Sequence, residues 1–399
     1  MKSRVTVVGG GIVGLSCAYF LHQDGHDVTL FDDAFDEESG ASFGNGGLIT
    51  PSHYVPLSNP AALRAGLRYL TNPASPFGFG LCDFATFAWA YKFFRCAMAK
   101  DMERKARLLV DLNMASRAIF GEWGKSFAQT AEVSLKGVMV ACQSTAGLHH
   151  EREVAEKAKS YGLTVQLLDA QGVQKLETGS TLSAEGGVLF EEDGHMDPLE
   201  MMRCLRAEVS RSGVKVVPRS WTPADRVAGE KLVLAAGAWT GSIARSMGHK
   251  LPMAAGKGYG FDVPLGTGSP KMPTILNEAR VAVTPLTDRT HFVGTLEVCL
   301  PNLTVNRQRF DPMVDSIRRA YPDLKIPQDV QPWVGLRPCT PDGMPYLGQH
   351  PGDRDLYFAA GHAMMGMSLG PVTGKVIADL VAGRQSELDT EPLSPVRFG

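Results

Sequence analysis

The residues with the most legible chemistry stand near the start of the chain. Gly9-Gly10-Gly11-Ile12-Val13-Gly14 has the composition and spacing of a turn that holds phosphate. Gly9 permits the tight bend, Gly11 lets backbone approach a pyrophosphate, and Gly14 lets a helix pack closely on a strand. Ile12 and Val13 open a helix whose free N–H groups and partial positive charge attract that phosphate. Asp32 and Asp33 follow the next apolar run. The Asp32 carboxylate can accept from both hydroxyls of a ribose, and it repels a 2′-phosphate. The chemistry is dinucleotide binding with NADP disfavoured; the motif alone does not separate FAD from NAD.

Positioning these groups requires a strand, a helix and a second strand in order. The sequence supplies them at Val5 to Val8, Leu15 to Leu21 and Asp27 to Phe31. A loop rich in Gly, Ser and Asn follows directly, so Ser42, Asn45, Gly46, Gly47 and Leu48 are expected to wrap the cofactor. Residues 56 to 135 read as helical. Within them the aromatic run Phe84 to Met98 is either a core helix or a face turned to a membrane surface or a quinone, and Lys100 to Arg107 is a solvated face. Strands follow at 138–141, 164–168, 187–190 and 214–217, with a helix over 151–161 and another over 199–211 opened by Asp197 and Pro198. Lys231 to Thr240 is a second apolar strand ending in a small-residue turn, where Ala236, Gly237 and Trp239 can sit against a ligand. Strands at 259–263, 281–283 and 291–294, interrupted by a helix over 312–321, read as an antiparallel sheet. A strand at 356–361 and a helix over 372–381 close the chain.

The totals set outer limits. At 399 residues the chain calls for two domains. A net charge of −2 argues against nucleic acid as a partner. The 7 cysteines, Cys82 among them, are scattered without a CxxC or a Cys/His cluster of metal spacing, so no metal is expected and the thiols read as free in a reducing compartment. Lys2 and Arg4 before an apolar run imitate a secretory signal, but the triple glycine reads as mature structure. No apolar stretch is long enough to span a bilayer. The expected location is cytoplasmic, with peripheral contact at the inner face of a membrane left open.

Three distant segments together resemble the D-amino-acid oxidase superfamily of FAD enzymes. They are the glycine turn with its Ser42-to-Leu48 loop, the Val233-to-Thr240 strand and turn, and the run Gly335-Leu336-Arg337-Pro338-Cys339-Thr340-Pro341-Asp342-Gly343-Met344-Pro345. Gly361-His362 with Gly366, and Gly370-Pro371-Val372-Thr373-Gly374, match as well. Lys257-Gly258-Tyr259, Val283-Thr284-Pro285-Leu286 and Gly294-Thr295-Leu296-Glu297 are similar to the D-amino-acid dehydrogenase branch, including enzymes for hydroxy-D-proline. The resemblance implies an α/β fold of two domains: a discontinuous Rossmann-like FAD-binding domain over 1–55, 193–245 and 335–399, and an antiparallel-sheet substrate domain over 56–192 and 246–334. It implies oxidation of a D-amino acid or a cyclic imino acid such as D-proline, with hydride passing from the α-carbon to flavin N5. Such chemistry asks the protein for orientation, a neutral amine and a cation for the carboxylate, rather than a nucleophile.

On that resemblance Arg337 pairs with the substrate carboxylate, which its planar fork fits bidentately; a salt bridge between domains is the alternative. Tyr259 adds a hydroxyl to the same carboxylate or is a core tyrosine, and His53 and Tyr54 wall the substrate cavity or are ordinary loop residues. His362 positions backbone rather than moving protons. Gly361, Gly366, Met367 and Ser368 bring backbone donors to the flavin, and the final helix, after Pro371, adds its N-terminal charge. FAD is expected to be non-covalent, because the anchoring position of sarcosine oxidase-like relatives corresponds to about Gly335 and not to Cys339. Oxygen-reactive relatives place a lysine on a strand similar to Thr290–Gly294, which has none here. A dehydrogenase passing electrons to a quinone or another carrier is therefore favoured over a glycine/sarcosine-type oxidase making hydrogen peroxide, or an FAD-carrying subunit of a hetero-oligomer. The chain departs from the family over 218–230, where the connection is short and leaves the adenine edge more open or covered by Trp221.

Overall fold

β-Branched Val5, Val7 and Val8 suit a strand buried on both faces, and β1 (Arg4–Val8) is central in a parallel sheet. The structure is a computed structural model and describes residues 2–60, 63–64, 75–80, 83–99 and 101–398. Cys82, Lys100 and positions 61, 62, 65–74 and 81 of the stretch expected to be helical lie outside the described residues. After β1 come α1 (Ile12–Gln23) and β2 (Asp27–Phe31), then the short strands β3 (Leu48–Ile49) and β4 (Phe77–Phe79). Helices α2 (Phe84–Ala97) and α3 (Met102–Lys125) lead to β5 (Val138–Cys142), α4 (Thr145–Ser160), β6 (Val165–Asp169), α5 (Ala170–Leu176), β7 (Gly186–Phe190) and β8 (Gly194–His195). Next are α6 (Pro198–Ser212), β9 (Lys215–Val217), β10 (Lys231–Leu234), α7 (Thr240–Ser246), β11 (Ala254–Pro264), β12 (Thr274–Leu276), β13 (Val281–Pro285), β14 (Arg289–Cys299) and α8 (Arg307–Ala320). The chain ends on β15 (Trp333–Cys339), β16 (Tyr346–His350), β17 (Asp353–Ala360) and α9 (Gly366–Val381).

The first sheet runs β16-β17-β10-β1-β2-β9, parallel except for β16. β1 has β2 on one side and β10 on the other, so connections diverge at its C-terminal end and leave a crevice there. The second sheet runs β15-β11-β14-β13-β12-β5-β7-β6, with β4 beside β14. Its pairs are antiparallel apart from β12 with β5 and β4 with β14. The two ends of the chain interlock: a Cβ on Gly374 of α9 would stand 2.4 Å from the backbone carbon of Ser16 in α1. Gly14 does the same for helix on strand, its notional Cβ falling 1.8 Å from the Gly9 carbonyl oxygen.

Several elements depart from the sequence reading. β4 lies inside the stretch read as helical, because Phe77–Phe79 pairs with Leu296–Val298 and tertiary pairing overrides local propensity. α8 starts at Arg307, ahead of Pro312, with Asn306 as N-cap accepting from Gln308 N–H (3.2 Å). α9 starts at Gly366, so Pro371 lies inside it rather than before it. β15 crosses position 335, which was read as the return to the first domain; the strand pairs with β11 along Trp333–Cys339 and places Arg337 on the second sheet. α6 matches the expected capping: Asp197 Oδ1 accepts from Leu199 N–H (2.9 Å) and Glu200 N–H (3.3 Å), and Pro198 opens the helix.

Gly374→Ala sets two effects against each other. Helix propensity alone favours alanine by about 1 kcal/mol. The close approach to Ser16 forces a shift of backbone, and overpacking costs about 1–3 kcal/mol. We expect a net loss of stability, read as a lower midpoint in chemical denaturation; a higher midpoint would mean that α1 and α9 are free to separate.

Candidate active site

A cavity of about 1000 Å³ runs from the C-terminal edge of β1 to the face of the second sheet. Gly9, Gly11, Ile12, Val13, Asp32, Asp33 and Ser42 line one end. Asp32 is already engaged there: its carboxylate accepts from Gly10 N–H (2.5 Å) and Ala34 N–H (3.0 Å), which fixes the turn and leaves further lone pairs for a ribose. Gly11, the N-cap of α1, has no side chain, and Ser42 Oγ accepts from Ile12 N–H (3.1 Å). Asp33 accepts from Ser220 Oγ (2.5 Å). Ala236, Gly237 and Trp239 line the same region after β10. Trp221 of the short 218–230 connection stands in this wall, buried, with an Nε1–H that no described residue accepts.

The middle of the cavity is bounded by the loop after β2, and Asn45, Gly46 and Leu48 line it. Two bonds pin this loop to the second sheet. His291 Nε2 donates to the Asn45 carbonyl (2.9 Å), and Thr284 Oγ1 donates to the Gly46 carbonyl (2.5 Å). Gly47, Gly14, Gly361 and Ser368, all expected at the cofactor, lie behind the wall instead. Gly47 approaches the Met196 carbonyl, Gly361 packs on Thr340, and Ser368 Oγ donates to Asn113 Oδ1 (2.6 Å) while accepting from Thr50 N–H (3.0 Å). Gly366 and Met367 do line the cavity and bring the first turn of α9 to it.

Arg337 faces the far end. Strand side chains alternate, so Gly256, Gly258 and Gly260 of β11 share one face with Trp333, Gly335 and Arg337 of β15. A Cβ on Gly258 would fall 2.0 Å from Arg337 Nη1, so the guanidinium lies flat on that glycine. Nη1 donates to the Thr295 carbonyl (2.7 Å), and among the described residues Arg337 forms no ion pair. Burial pushes its pKa down, which is the mark of a charge without a partner. The salt-bridge alternative is thereby set aside. Thr295 has φ 62°, and Arg280 (φ 53°) and Ala363 (φ 48°), also on the cavity wall, share this left-handed backbone. Such strain gathers at binding sites. The Thr295 hydroxyl is buried with no partner among the described residues.

Two of the expected site residues turn away. Tyr259 lies on the opposite face of β11 and is fully buried under α8, where its hydroxyl donates to Glu297 Oε2 (3.1 Å) and accepts from Asn306 N–H (3.1 Å). The period of two puts Gly258 on the face that carries Arg337 and therefore Tyr259 on the other. Tyr54 packs edge-on against Tyr161 and donates to the Val154 carbonyl (2.7 Å), so it too is core. His53 and His362 line the cavity. Burial lowers the His362 pKa to about 3, and its Nε2 meets Thr373 Oγ1 (2.9 Å), which ties β17 to α9. Burial, with Arg280 adding to it, lowers that of His53 to about 4. Both imidazoles are neutral at pH 7.

Sequence reasoning missed four features here. Arg206 of α6 stacks its guanidinium 4.3 Å from the Phe43 ring at the nucleotide end. Glu151 of α4 enters the cavity 8% exposed, and burial raises its pKa to about 7. Arg280 faces it from the end of β13. Asp193, 1% exposed and raised by burial to about 7, accepts from Ser52 N–H (2.9 Å) and Ser52 Oγ (2.6 Å) beside His53. None of these stands in a recognisable motif; only the fold brings Glu151, Arg206 and Arg280 to the cavity and sets Asp193 behind Ser52 and His53.

Residues 4–380 match the DAO family, described as FAD dependent oxidoreductase. The D-amino acid dehydrogenase of Paramagnetospirillum magneticum is 30% identical over 99% of both chains. That of Helicobacter pylori is 28% identical over 95% of both. Among solved structures, glycine oxidase from Geobacillus kaustophilus superposes with a TM-score of 0.78 over 100% of both chains at 21% identity. L-proline dehydrogenase from P. horikoshii superposes at 0.72, covering 100% of this chain and 98% of that one at 18% identity. The structural likeness is one of fold.

The glycine beneath Arg337 yields a test. Gly258→Ala should displace the guanidinium and weaken binding of a small carboxylate such as acetate by roughly 10–100-fold, the worth of one charge-assisted hydrogen bond. Titration of bound-flavin absorbance measures it. Unchanged affinity would mean that anions bind elsewhere.

Proposed function

Because this chain belongs to the DAO family of FAD-dependent oxidoreductases, we propose that it dehydrogenates a D-amino acid or a cyclic imino acid such as D-proline or hydroxy-D-proline. The observation that carries the reading is Arg337, a half-buried guanidinium without a carboxylate partner among the described residues, on the wall of the same cavity as the dinucleotide turn. An unpaired charge out of water is costly, and an incoming carboxylate offsets that cost. The D-amino acid dehydrogenase relatives support the D configuration.

The residues fit FAD at each section of the cavity. The Gly9–Val13 turn and α1 suit a pyrophosphate, Asp32 a ribose, Trp221 an adenine edge, and Gly366 and Met367 the far ring. When bound, FAD accepts the hydride from the substrate α-carbon. Arg337 fixes the carboxylate, and the unpartnered Thr295 hydroxyl beside it can donate to the same group. Glu151 and Arg280 face the remaining space and suit a polar substituent on the substrate, such as a ring hydroxyl. Non-covalent attachment is supported by the cavity wall, where no cysteine stands among the described residues; the Cys339 Sγ points to the Arg337 carbonyl (3.6 Å).

A dehydrogenase rather than an oxidase is supported by β14, which carries no lysine, and by Lys257, whose ammonium bonds Asn302 and the Thr304 carbonyl away from the cavity. For the acceptor side, a quinone at a membrane surface is favoured by α2. The core-helix reading of this segment holds for the side of Thr86, Trp89 and Ala97, on which Ala90 and Phe93 also pack, while Phe84 (95% exposed), Phe87, Tyr91, Phe94 and Met98 form one bare face with Lys92 and Arg95 beside it. No helix among the described residues is long and apolar enough to cross a membrane.

Anaerobic bleaching of the flavin across D- and L-amino acids tests the substrate. We expect D-proline-like compounds to bleach it and L-enantiomers not to, with Arg337→Ala raising the substrate requirement by at least 10-fold at unchanged flavin content. Peroxide formed in step with turnover in air would instead indicate the oxidase reading, and absence of bleaching by the single chain would indicate a subunit of a larger enzyme. Phe84→Ser with Phe87→Ser should release the protein from anionic vesicles without altering bleaching; equal vesicle binding would remove the membrane role of α2.

A further inference from the structure

We propose that Asp193, Ser52 and His53 form a proton relay that takes the ammonium proton of the substrate out of the cavity. The inference rests on the amino-acid reading above. Ser52 Oγ donates to Asp193 Oδ2 at 2.6 Å and stands 3.3 Å from His53 Nδ1. A hydroxyl has one proton. While that proton points at the carboxylate, Nδ1 must supply the hydrogen that bridges to Ser52. The Nε2 of His53 then carries a lone pair. His53 lines the cavity that Arg337 also lines, and no described residue meets its Nε2. The chain of bonds therefore begins at an acceptor open to the substrate and ends at a carboxylate closed to water, since Asp193 is 1% exposed.

The transfer balances without any further reagent. One N–H bond of the substrate ammonium breaks and its electron pair stays on the amine nitrogen. A new N–H bond forms at His53 Nε2. The Nδ1 proton passes to Ser52 Oγ, and the former hydroxyl proton passes to Asp193 Oδ2. The products are a neutral amine, a neutral Asp193 and an imidazole that has exchanged tautomers without remaining charged. The charges around the relay agree with this direction. Burial and the facing Arg280 disfavour a lasting imidazolium at His53, whose pKa is lowered to about 4. Burial, helped by Glu192 and opposed by the Ser52 bonds and by Arg117, raises Asp193 to about 7. Glu151 faces the same cavity from α4. Above about pH 7 Asp193 is ionised and the relay can accept; below it Asp193 holds a proton, the bonds reverse, and His53 presents Nε2–H instead. The relay resets when product leaves and the proton returns to water through the cavity.

A simple anchoring role for Asp193 predicts something different, and Asp193→Asn separates the two. Ser52 N–H donates to Oδ1 (2.9 Å), so the amide oxygen must stay there and the amide NH2 must take the place of Oδ2. That NH2 donates to Ser52 Oγ, which then donates to Nδ1 and locks His53 as the Nε2–H tautomer. The anchor is kept and the relay is lost. Nitrogen-15 NMR of histidine-labelled holoenzyme, read without substrate, should show His53 as Nδ1–H at alkaline pH and Nε2–H at acid pH, exchanging near pH 7, and as Nε2–H throughout in Asp193→Asn. With D-proline, anaerobic flavin bleaching in Asp193→Asn should be about 100-fold slower at neutral pH, the usual worth of a general base, and the gap should close as the free substrate loses its own proton at high pH. Ser52→Ala should behave likewise and Ser52→Thr should restore the wild-type profile, which covers the case in which Asp193→Asn does not fold. No exchange of tautomers in the wild type, or wild-type pH profiles in Asp193→Asn and Ser52→Ala, overturns the relay. If no amino acid bleaches the wild type, the substrate reading itself fails, whatever the NMR shows.

Discussion

Arg337 holds a positive charge, half-buried on the cavity wall, with one carbonyl, that of Thr295, as its hydrogen-bond partner among the described residues. Partial removal of an unpaired guanidinium from water is unfavourable, and a ligand that completes the pairing offsets that cost. Much of the surrounding architecture can be understood as what makes this arrangement possible. Gly258 provides a floor without a side chain, and the left-handed backbone at Thr295 turns its carbonyl toward Nη1 and its hydroxyl into a buried, unpartnered position. A site of this kind is pre-organised: the donors are in place before the substrate arrives, so little reorganisation is required at the moment of reaction.

The two sheets supply different halves of that site, and polar contacts hold the halves in register. The loop after β2 belongs to the dinucleotide end, yet it is fastened to β13 and β14 through Thr284 and His291. The last helix rests on the first through glycine, and Ser368 connects it to Asn113 of α3 and to Thr50. Movement of either sheet would therefore disturb both the nucleotide turn and the surroundings of Arg337. This coupling gives a physical reason for a discontinuous arrangement in which the chain leaves the first sheet and returns to it.

Burial also sorts the titratable groups of the cavity. The histidines are driven neutral, His53 to about 4 and His362 to about 3, whereas Glu151 and Asp193 are raised to about 7. A neutral imidazole can accept a proton or orient a neighbour, and an acid poised near neutrality can hold a proton for the length of a turnover. Arg337 keeps a positive charge without an ion-pair partner among the described residues.

The sequence by itself determined the nucleotide turn, the order β1-α1-β2, the capped start of α6 and the arginine in Gly335-Leu336-Arg337-Pro338. Each of these is a local matter: a glycine where a Cβ cannot fit, a cap beside its helix, a short run of residues with its own resemblance. Which side of a strand a residue presents was decided only by tertiary structure. Tyr259 and Gly258 are neighbours, yet pairing with β14 and β15 turned the tyrosine to the core and set the glycine beneath Arg337. Tyr54 and His53 were divided in the same way. β4 inside an expected helical stretch, the early starts of α8 and α9, and the meeting of Asp193 with Ser52 depend on partners far away in the chain. Hydrogen bonds and burial across such separations form only when the chain has closed, and a linear pattern of residue types carries no record of them.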